Sequence, residues 1–489
     1  MGRGPARPDH VHIVATLARQ DGTRPRIWND FYRVREACRQ AEERLGLRST
    51  APADRTAARR PSRAETEKAA RLGQGQAPRA RLRREVSVAA GAARGEQDFL
   101  ARLAGAGVLV RLRHGTTRPG VVTGYAVGLP GHTARDGGVI WYGGGKLAAD
   151  LTLPRLRARW AAAEPGGPAP GDGLSPEAAR AVLRHAVTGA AERAGSEAGF
   201  FAALRAAGVL VRLRFSETDP GQVTGYSVAL PGHHEPDGTP CWHGGGRLAA
   251  GLTLPRLRTR WDPAGSAGPG RSGSFRFTAP ERDAIYQHAA RQAAAAAEHV
   301  RGCAGSDPAR AADAAWAAGD ALHVAARALR SPELRRAADA YDRAARAGHG
   351  RIPPPTAEGR RLRAAARLMA LQGPGTGTAG LVSSALMASL ISLVVAVAEL
   401  RQAQQHAAQA AAAREAAERL RGQLRPVRSS GQPGASRRPG ERAAARAMRD
   451  AFPARAAPAE HAPAGASQAR PSSSTGAALP NRRRRGQGP

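Results

Sequence analysis

Apolar and polar residues alternate near the start of the chain. Residues 10–17 read His-Val-His-Ile-Val-Ala-Thr-Leu, and this period of two is typical of a β-strand. Asp21-Gly22 is a turn-forming dipeptide, and a second extended stretch follows it. The pattern therefore predicts a β-hairpin over residues 10–28.

Helical spacing replaces this alternation in the next segment. Asn29 or Asp30 can cap a helix there, and Gly46 is placed to end it. An arginine-rich connection then leads to a second short helix, predicted from Ser62. The apolar positions of the first helix are Phe31, Val34, Cys38, Ala41 and Leu45.

The middle of the chain contains one pattern twice. Residues 96–160 and 197–261 are identical at 42 of 65 aligned positions, with a constant offset of 101. Each copy predicts an amphipathic helix, two strands, a Trp-bearing strand that leads into three glycines, and a closing helix that begins at a proline. Two copies are too few for a stacked repeat array, so the sequence predicts two small α+β modules.

Alanine-rich helix formers follow the second copy and predict a helical bundle. Residues 379–398 are uncharged and long enough to cross a bilayer. Two interpretations of this run stay open, a membrane span or a buried bundle helix that continues into the polar helix 399–424. The other helices are predicted near residues 281–300, 308–329, 331–347 and 356–372.

The predicted fold class is therefore α+β, in five regions. From residue 427 the chain is rich in Ser, Gly, Pro and Arg, which predicts a disordered basic tail. The regions are a partial hairpin-plus-helix domain over 1–72, module 1 over 83–160, module 2 over 175–261, the helical region over 281–424 and the tail over 427–489.

The chain carries a formal net charge of +34. Such a charge attracts polyanions, and DNA is the commonest polyanion in a cell. GC-rich coding accounts for the preference for Arg over Lys, but not for the shortage of Asp and Glu. Three scattered cysteines and a polar, Pro/Gly-rich N-terminus predict a cytoplasmic protein, with membrane association open through residues 379–398.

His10 and His12 are the most specific local feature. Residues two apart on a strand leave the same face, so the two imidazoles can converge on one divalent cation. Such a metal could polarise a phosphodiester and stabilise charge that develops in the transition state. Taken alone, a His-x-His pair is also common on protein surfaces.

Several short segments occur together around this pair. They are Asp9–Leu17, Asp21-Gly22, Arg24-Pro25-Arg26, Asn29-Asp30-Phe31-Tyr32, Arg33–Cys38, Leu45-Gly46-Leu47 and Ala53–Thr56. In this combination they resemble the metal-binding strand and following helix of the relaxase/mobilisation nuclease family, which processes DNA for conjugative transfer. The resemblance covers residues 8–72, and the duplicated modules are similar to sequence found downstream in the same proteins.

The resemblance implies a definite chemistry. Relaxases nick one DNA strand through a tyrosine hydroxyl, and a divalent metal such as Mg²⁺ or Mn²⁺ on three histidines positions the phosphate. His10 and His12 match two of these ligands. The family's tyrosine and third histidine lie upstream of this strand, and none of the nine residues before His10 is Tyr or His, so an N-terminally truncated catalytic domain is expected. Tyr32 is assigned a structural role, and nicking by this chain stays open.

Arginines supply the predicted DNA contacts. Arg111 and Arg113 in module 1, like Arg212 and Arg214 in module 2, share one face of a strand, which suits contact with phosphates. An ordinary solvated face is the other interpretation. The N-terminal candidates are Arg24, Arg26, Arg48, Arg55, Arg59 and Arg60.

Two further features of the modules are weaker. The glycines of Gly143–Lys146 and Gly244–Arg247 could hold a phosphate beside one cation, although a simple tight turn is the favoured interpretation. His132, His233 and His234 follow Pro-Gly turns and are expected in solvated loops.

The leading hypothesis is a relaxase-type DNA-processing protein whose modules and helical region hold DNA or dock other conjugation proteins. A non-catalytic, basic DNA-binding accessory protein is one alternative. The other is an interaction protein that associates with a membrane through residues 379–398.

Overall fold

Two three-stranded antiparallel sheets and a large helical region form the described part of the chain, so the fold is mixed α+β as predicted. The computed structural model describes residues 19–23, 30–46, 54–115, 120–134, 136–161, 167–262, 275–373 and 380–424. The tail over 427–489 and most of the predicted hairpin over 10–28 lie outside these residues.

The predicted first helix is present as α1, Asp30–Arg44. Gly46 follows it at a φ of +61°, a conformation that suits glycine after a helix. Ahead of the helix, the Asp21 carboxylate accepts hydrogen bonds from the amide and hydroxyl of Thr23, at 3.0 and 2.6 Å. Val34, Cys38 and Ala41 of α1 are exposed, with Val34 at 60%.

Helix α2, Arg63–Arg71, starts at the predicted Ser62 with a capping box. The Ser62 hydroxyl accepts from the Glu65 amide, and the Glu65 carboxylate accepts from the Ser62 amide at 2.7 Å. The same carboxylate accepts from the Arg79 guanidinium at 2.9 Å and from the Tyr142 hydroxyl at 3.0 Å. Glu65 therefore attaches α2 to module 1.

The two modules contain the same elements in the same order. Module 1, with the helix that precedes it, consists of α3 (Pro78–Ala92), α4 (Glu96–Gly105), β1 (Leu109–His114), β2 (Val122–Gly128), β3 (Tyr142–Gly143), α5 (Gly144–Leu147) and α6 (Leu153–Ala161). Module 2 consists of α7 (Pro176–Arg193), α8 (Glu197–Ala206), β4 (Leu210–Phe215), β5 (Val223–Ala229), β6 (His243–Gly244), α9 (Gly245–Leu248) and α10 (Leu254–Trp261).

The strand pairing of the two sheets also agrees. The orders are β1-β2-β3 and β4-β5-β6, with antiparallel neighbours. Arg111 pairs with Ala126 in module 1, and Arg212 pairs with Ser227 at the same register in module 2. Each hairpin shifts register directly after its second arginine. The two copies thus present their strand arginines in the same way.

One aromatic cluster forms the centre of each module. In module 1 the Phe99 ring lies 5.3 Å from Tyr125 and 5.4 Å from Trp160, measured between centroids. Phe200 lies at the same two distances from the corresponding rings in module 2. Because Tyr125 and Leu112 are opposite each other in the β1–β2 pair, this side of the sheet faces the core and the arginines face away.

The helical region follows the predicted series closely. Its helices are α11 (Ala279–Ala304), α12 (Ala312–Ala328), α13 (Pro332–Ala345), α14 (Ala357–Leu371), α15 (Gly380–Ala403) and α16 (Ala407–Leu424). The predicted continuation from 379–398 into 399–424 is wrong, because Gln405 has a φ of +59° and the chain turns between α15 and α16. This turn lets α16 pack on both α13 and α15.

Residues Ser383–Ala403 of α15 are long and apolar enough to span a membrane, with a mean hydropathy of 1.9. In this structure α15 packs against α11 and α16, and Leu390 and Val394 are fully buried. Arg301 of α11 donates to the Ser392 hydroxyl at 2.5 Å. The core helix of a soluble bundle has the same length and composition, so these properties alone do not establish a span.

Buried charges join module 1 to the helical region. The Asp150 carboxylate accepts from Arg346 Nε at 2.9 Å and from the Trp316 indole at 3.3 Å. Arg346 also donates to Asp342 at 3.0 Å, and Asp342 lies 2.7 Å from His323 Nε2. Burial opposes ionisation of Asp342, but Arg346 and His323 outweigh it and hold the pKa of Asp342 well below its usual range.

A second set of charges extends this junction. Trp316 lies against the guanidinium groups of Arg159 and Arg363, at 4.6 and 5.1 Å from their central carbons. Both arginines pair with Asp320. At the matching positions module 2 has Gly251 instead of Asp150, and Arg260, the counterpart of Arg159, is exposed. The junction is therefore specific to module 1.

Candidate nucleic-acid interface

Five of the twelve predicted site residues lie beyond what the structure describes. His10, His12, Arg24, Arg26 and Arg48 are outside the described residues, and the metal hypothesis with them. Among the residues that are described, no group of three or more His, Cys, Asp or Glu side chains could hold a metal ion.

Arg55, Arg59 and Arg60 lie in the exposed segment before α2. Thr56 in this segment is buried, and its carbonyl accepts from Arg346 at 3.2 Å. Arg55 has a φ of +59°, which places it in a tight turn. This segment is thus fixed to the helical region by its backbone, and its guanidinium groups stay at the surface.

The four strand arginines form the best-defined part of the predicted site. Arg111 on β1 lies over the Trp141 ring with its guanidinium carbon 4.9 Å from the centroid. Arg212 on β4 lies over Trp242 at 4.7 Å. These contacts hold each guanidinium flat on an aromatic face. All four arginines are exposed, as the alternation of β1 and β4 predicts.

Glycine makes room for the second arginine of each pair. A Cβ added to Gly124, which is opposite Arg113, would lie 2.9 Å from the guanidinium nitrogen of that arginine. In module 2 a Cβ at Gly225 would lie 3.4 Å from Arg214. A Cβ at position 124 would displace the Arg113 guanidinium, whereas one at position 225 would only contact that of Arg214, so the glycine is needed in module 1 for the guanidinium to lie along the sheet.

We call each arginine pair together with its tryptophan an Arg–Trp face: Arg111, Arg113 and Trp141 in module 1, and Arg212, Arg214 and Trp242 in module 2. In the described part of the chain no acidic side chain lies within ion-pair distance of any of these four arginines. By contrast, Arg157 pairs with Glu96 and Arg258 with Glu197, both at 2.7 Å. The faces therefore present uncompensated positive charge.

A cleft of about 770 Å³ covers the Arg–Trp face of module 1. Arg111, Arg113, Trp141 and the exposed Lys146 line it. The cleft is open to solvent along the sheet. Its basic lining suits an anionic ligand.

The triple glycines have a packing role. A Cβ on Gly144 would lie 2.0 Å from the Leu151 carbonyl oxygen and 2.7 Å from the Tyr125 hydroxyl. Those two groups form a buried hydrogen bond of 2.6 Å, in which the tyrosine donates. Gly245 has the same relation to Tyr226 in module 2. Close packing at the start of α5 and α9 accounts for Gly144 and Gly245 without a bound phosphate.

His132 corrects one expectation. It is 4% exposed, and its Nε2 lies 3.3 Å from the Tyr142 hydroxyl. Burial, with the charge of Lys68, lowers the pKa of His132. The predicted solvated loop is wrong here because α2, through Lys68 and Glu65, covers the turn that carries this histidine. His234 is exposed as expected.

Trp141 and Trp242 are the functional residues that the sequence did not single out. The available signal was a tryptophan at the same place in both copies, two residues ahead of the glycines. Its pairing with a strand arginine depends on the register of three strands, which local sequence does not contain.

Comparisons of the chain with protein-family models, with curated proteins and with solved structures found no match. Function is therefore inferred from the residues and the geometry of this chain.

Proposed function

We propose that this chain is a relaxase/mobilisation-nuclease-like protein of plasmid or integrative-element transfer, and that it holds DNA on its two Arg–Trp faces. The observation that carries the proposal is the pair of matching faces, each with two exposed arginines that have no carboxylate within ion-pair distance among the described residues. The net charge of +34 supports it, because a strongly basic surface draws in nucleic acid.

The chemistry of the faces favours backbone contact. A guanidinium donates two parallel hydrogen bonds to a phosphate, and such contacts position a strand without reading its sequence. Stacking on tryptophan limits the motion of Arg111 and Arg212, which lowers the entropy lost on binding. We therefore expect DNA binding with little sequence preference and a strong dependence on salt.

The first experiment measures DNA binding by the full chain. Fluorescence anisotropy with a labelled single strand is recorded over a range of salt, for the wild type and for Arg→Gln at positions 111, 113, 212 and 214 together. Each lost contact lowers the slope of log affinity against log salt by about 0.7, so four contacts lower it by about 3.

A matched control separates this effect from a general loss of charge. Arg335 and Arg336 lie exposed on α13. The control variant carries Arg335→Gln with Arg336→Gln, and each of its substitutions removes the same charge as each substitution in the faces. The control should leave the slope nearly unchanged. A quadruple variant that binds like the control would refute the role of the faces.

The nicking part of the proposal rests on residues 8–72 and on His10 and His12. It is tested by incubating the chain with supercoiled plasmid and Mg²⁺ or Mn²⁺, then looking for relaxed circles and protein-linked DNA ends. His10→Ala with His12→Ala should weaken metal binding, measured by calorimetry. Metal affinity that does not change would remove these histidines from the site.

A non-catalytic DNA-binding accessory protein is the second candidate. What favours it is that each Arg–Trp face consists of arginines and a tryptophan, which suit contact with DNA and need no catalytic group. Salt-sensitive binding without plasmid relaxation, with either metal, would select this candidate over the first.

A further inference from the structure

A second cavity lies where the two modules meet the helical region. Its volume is about 590 Å³, and it shares no lining residue with the cleft over the module 1 sheet. Its walls come from α4 and the corner between α3 and α4, from residues 168–173, and from α7, α11 and α14. This volume is within the usual range for small-molecule sites, about 300–1,000 Å³.

Five arginines line this cavity: Arg94, Arg102, Arg360, Arg361 and Arg367. Two of them are paired, Arg102 with Asp98 at 2.8 Å and Arg361 with Glu358 at 3.6 Å. Around the other three, the described residues place no carboxylate within ion-pair distance. The wall also contains Asp172, whose carboxylate accepts from the Ala169 amide at 2.7 Å. The cavity thus concentrates positive charge.

Arg367 is the most confined of these groups. Its Nε donates to the Arg363 carbonyl at 3.3 Å, which fixes the side chain. Burial, together with the charges of Arg94 and Arg363, lowers the pKa of Arg367 to about 10. Arg360 Nε is buried without a hydrogen-bond partner. Like charges held together at partial burial destabilise the ligand-free fold, and a bound anion would relieve that cost.

The rest of the wall is apolar. Val182, Leu368 and Leu371 line it, beside the polar side chains of His288 and Gln292. An inorganic phosphate would fill only a small part of the space. Phosphate groups on an organic body would use both the guanidinium groups and the apolar wall.

We propose that this cavity binds a small organic polyphosphate of the nucleoside di- or triphosphate class, with Arg94, Arg360 and Arg367 as its phosphate-binding residues. The proposal does not depend on DNA binding by the Arg–Trp faces. It assigns the chain a second anion site, of small-molecule size.

The test is calorimetry of the full chain with three probes, ATP, pyrophosphate and adenosine, in metal-free buffer. ATP should bind most tightly. Pyrophosphate should bind at least about tenfold more weakly because it has no organic body for the apolar wall, and adenosine should not bind measurably because it has no phosphates for the arginines. Pyrophosphate as tight as ATP, or no ATP binding at all, would overturn the proposal.

Arg360→Gln with Arg367→Gln tests the residues. ATP affinity should fall more than tenfold, while Arg335→Gln with Arg336→Gln on α13 should leave it unchanged. The melting temperature without ligand should rise in the first variant, since repulsion is relieved, and ATP should no longer raise it. A lower melting temperature would mean that these arginines serve the fold, and would refute the site.

Leu371→Glu gives an independent check that leaves all five arginines in place. Its carboxylate would enter the cavity and occupy the guanidinium groups. ATP affinity should therefore fall at least as far as in the double arginine variant. Unchanged ATP affinity in a folded Leu371→Glu protein would place the ligand elsewhere.

Discussion

Gly144→Ala isolates the packing role of the triple glycine. The added methyl would lie 2.0 Å from the Leu151 carbonyl oxygen and 2.7 Å from the Tyr125 hydroxyl, so the bond between those two groups cannot persist. Loss of a buried hydrogen bond costs about 1–3 kcal/mol, and overpacking costs about 1–3 kcal/mol more. Reduced freedom of the unfolded chain returns about 0.5–1 kcal/mol. The expected net loss is about 1–5 kcal/mol.

Hydrogen exchange measures this loss within module 1. Amides of Val122–Gly128 and of the segment around Leu151 should open with a free energy lower by that amount, and module 2 should not change. Gly145→Ala is the control, because its methyl would meet only the Thr152 methyl, at 3.2 Å. That control should lose less than about 1 kcal/mol.

Tyr125→Phe completes a double-mutant cycle. Alone it removes the same hydrogen bond, so its cost and the cost of Gly144→Ala should sum to more than the cost of the double variant. A Gly144→Ala protein as stable as the wild type would refute the packing explanation. Reduced DNA affinity in that stable variant would instead favour a phosphate-holding turn.

Three other perturbations have definite outcomes. Burial raises the pKa of Glu65, but hydrogen bonds from Arg79, Ser62 and Tyr142 lower it to about 2. The stability that ionised Glu65 adds is therefore present above about pH 4.5 and is lost as the pH falls toward 2. Glu65→Gln should remove this pH-dependent step, worth up to about 3 kcal/mol, from urea unfolding measured as a function of pH. Arg346→Leu leaves two buried carboxylates short of a partner and should cost about 3–5 kcal/mol by urea unfolding, against under about 1 for Arg336→Leu at the surface. Deleting residues 427–489 should flatten the salt dependence of DNA binding, and an unaltered slope would mean that the tail makes no contact.

Local patterns predicted the elements well. Capping signals located α1 and α2, and the helices of the bundle follow the alanine-rich series. Alternation along β1 and β4 placed Arg111 and Arg212 on the outer face. These features succeed because each depends on neighbours within a few residues.

Longer-range features were not accessible in this way. The break at Gln405 depends on α16 finding a place between α13 and α15, not on a helix-breaking residue. The burial of His132 depends on Lys68 and Glu65, more than sixty residues away. The Trp141 contact and the arginine-lined cavity likewise join segments that are distant in sequence.

The single carboxylate of Asp150 also has a consequence for assembly. Both modules pack on the helical region, each at its own place, so two similar modules could in principle exchange places, and only one arrangement is native. If module 2 took the place of module 1, Gly251 would leave the Trp316 indole without its acceptor and Arg346 with one carboxylate fewer. The Asp150 side chain therefore favours the native arrangement over one in which the two modules have exchanged places.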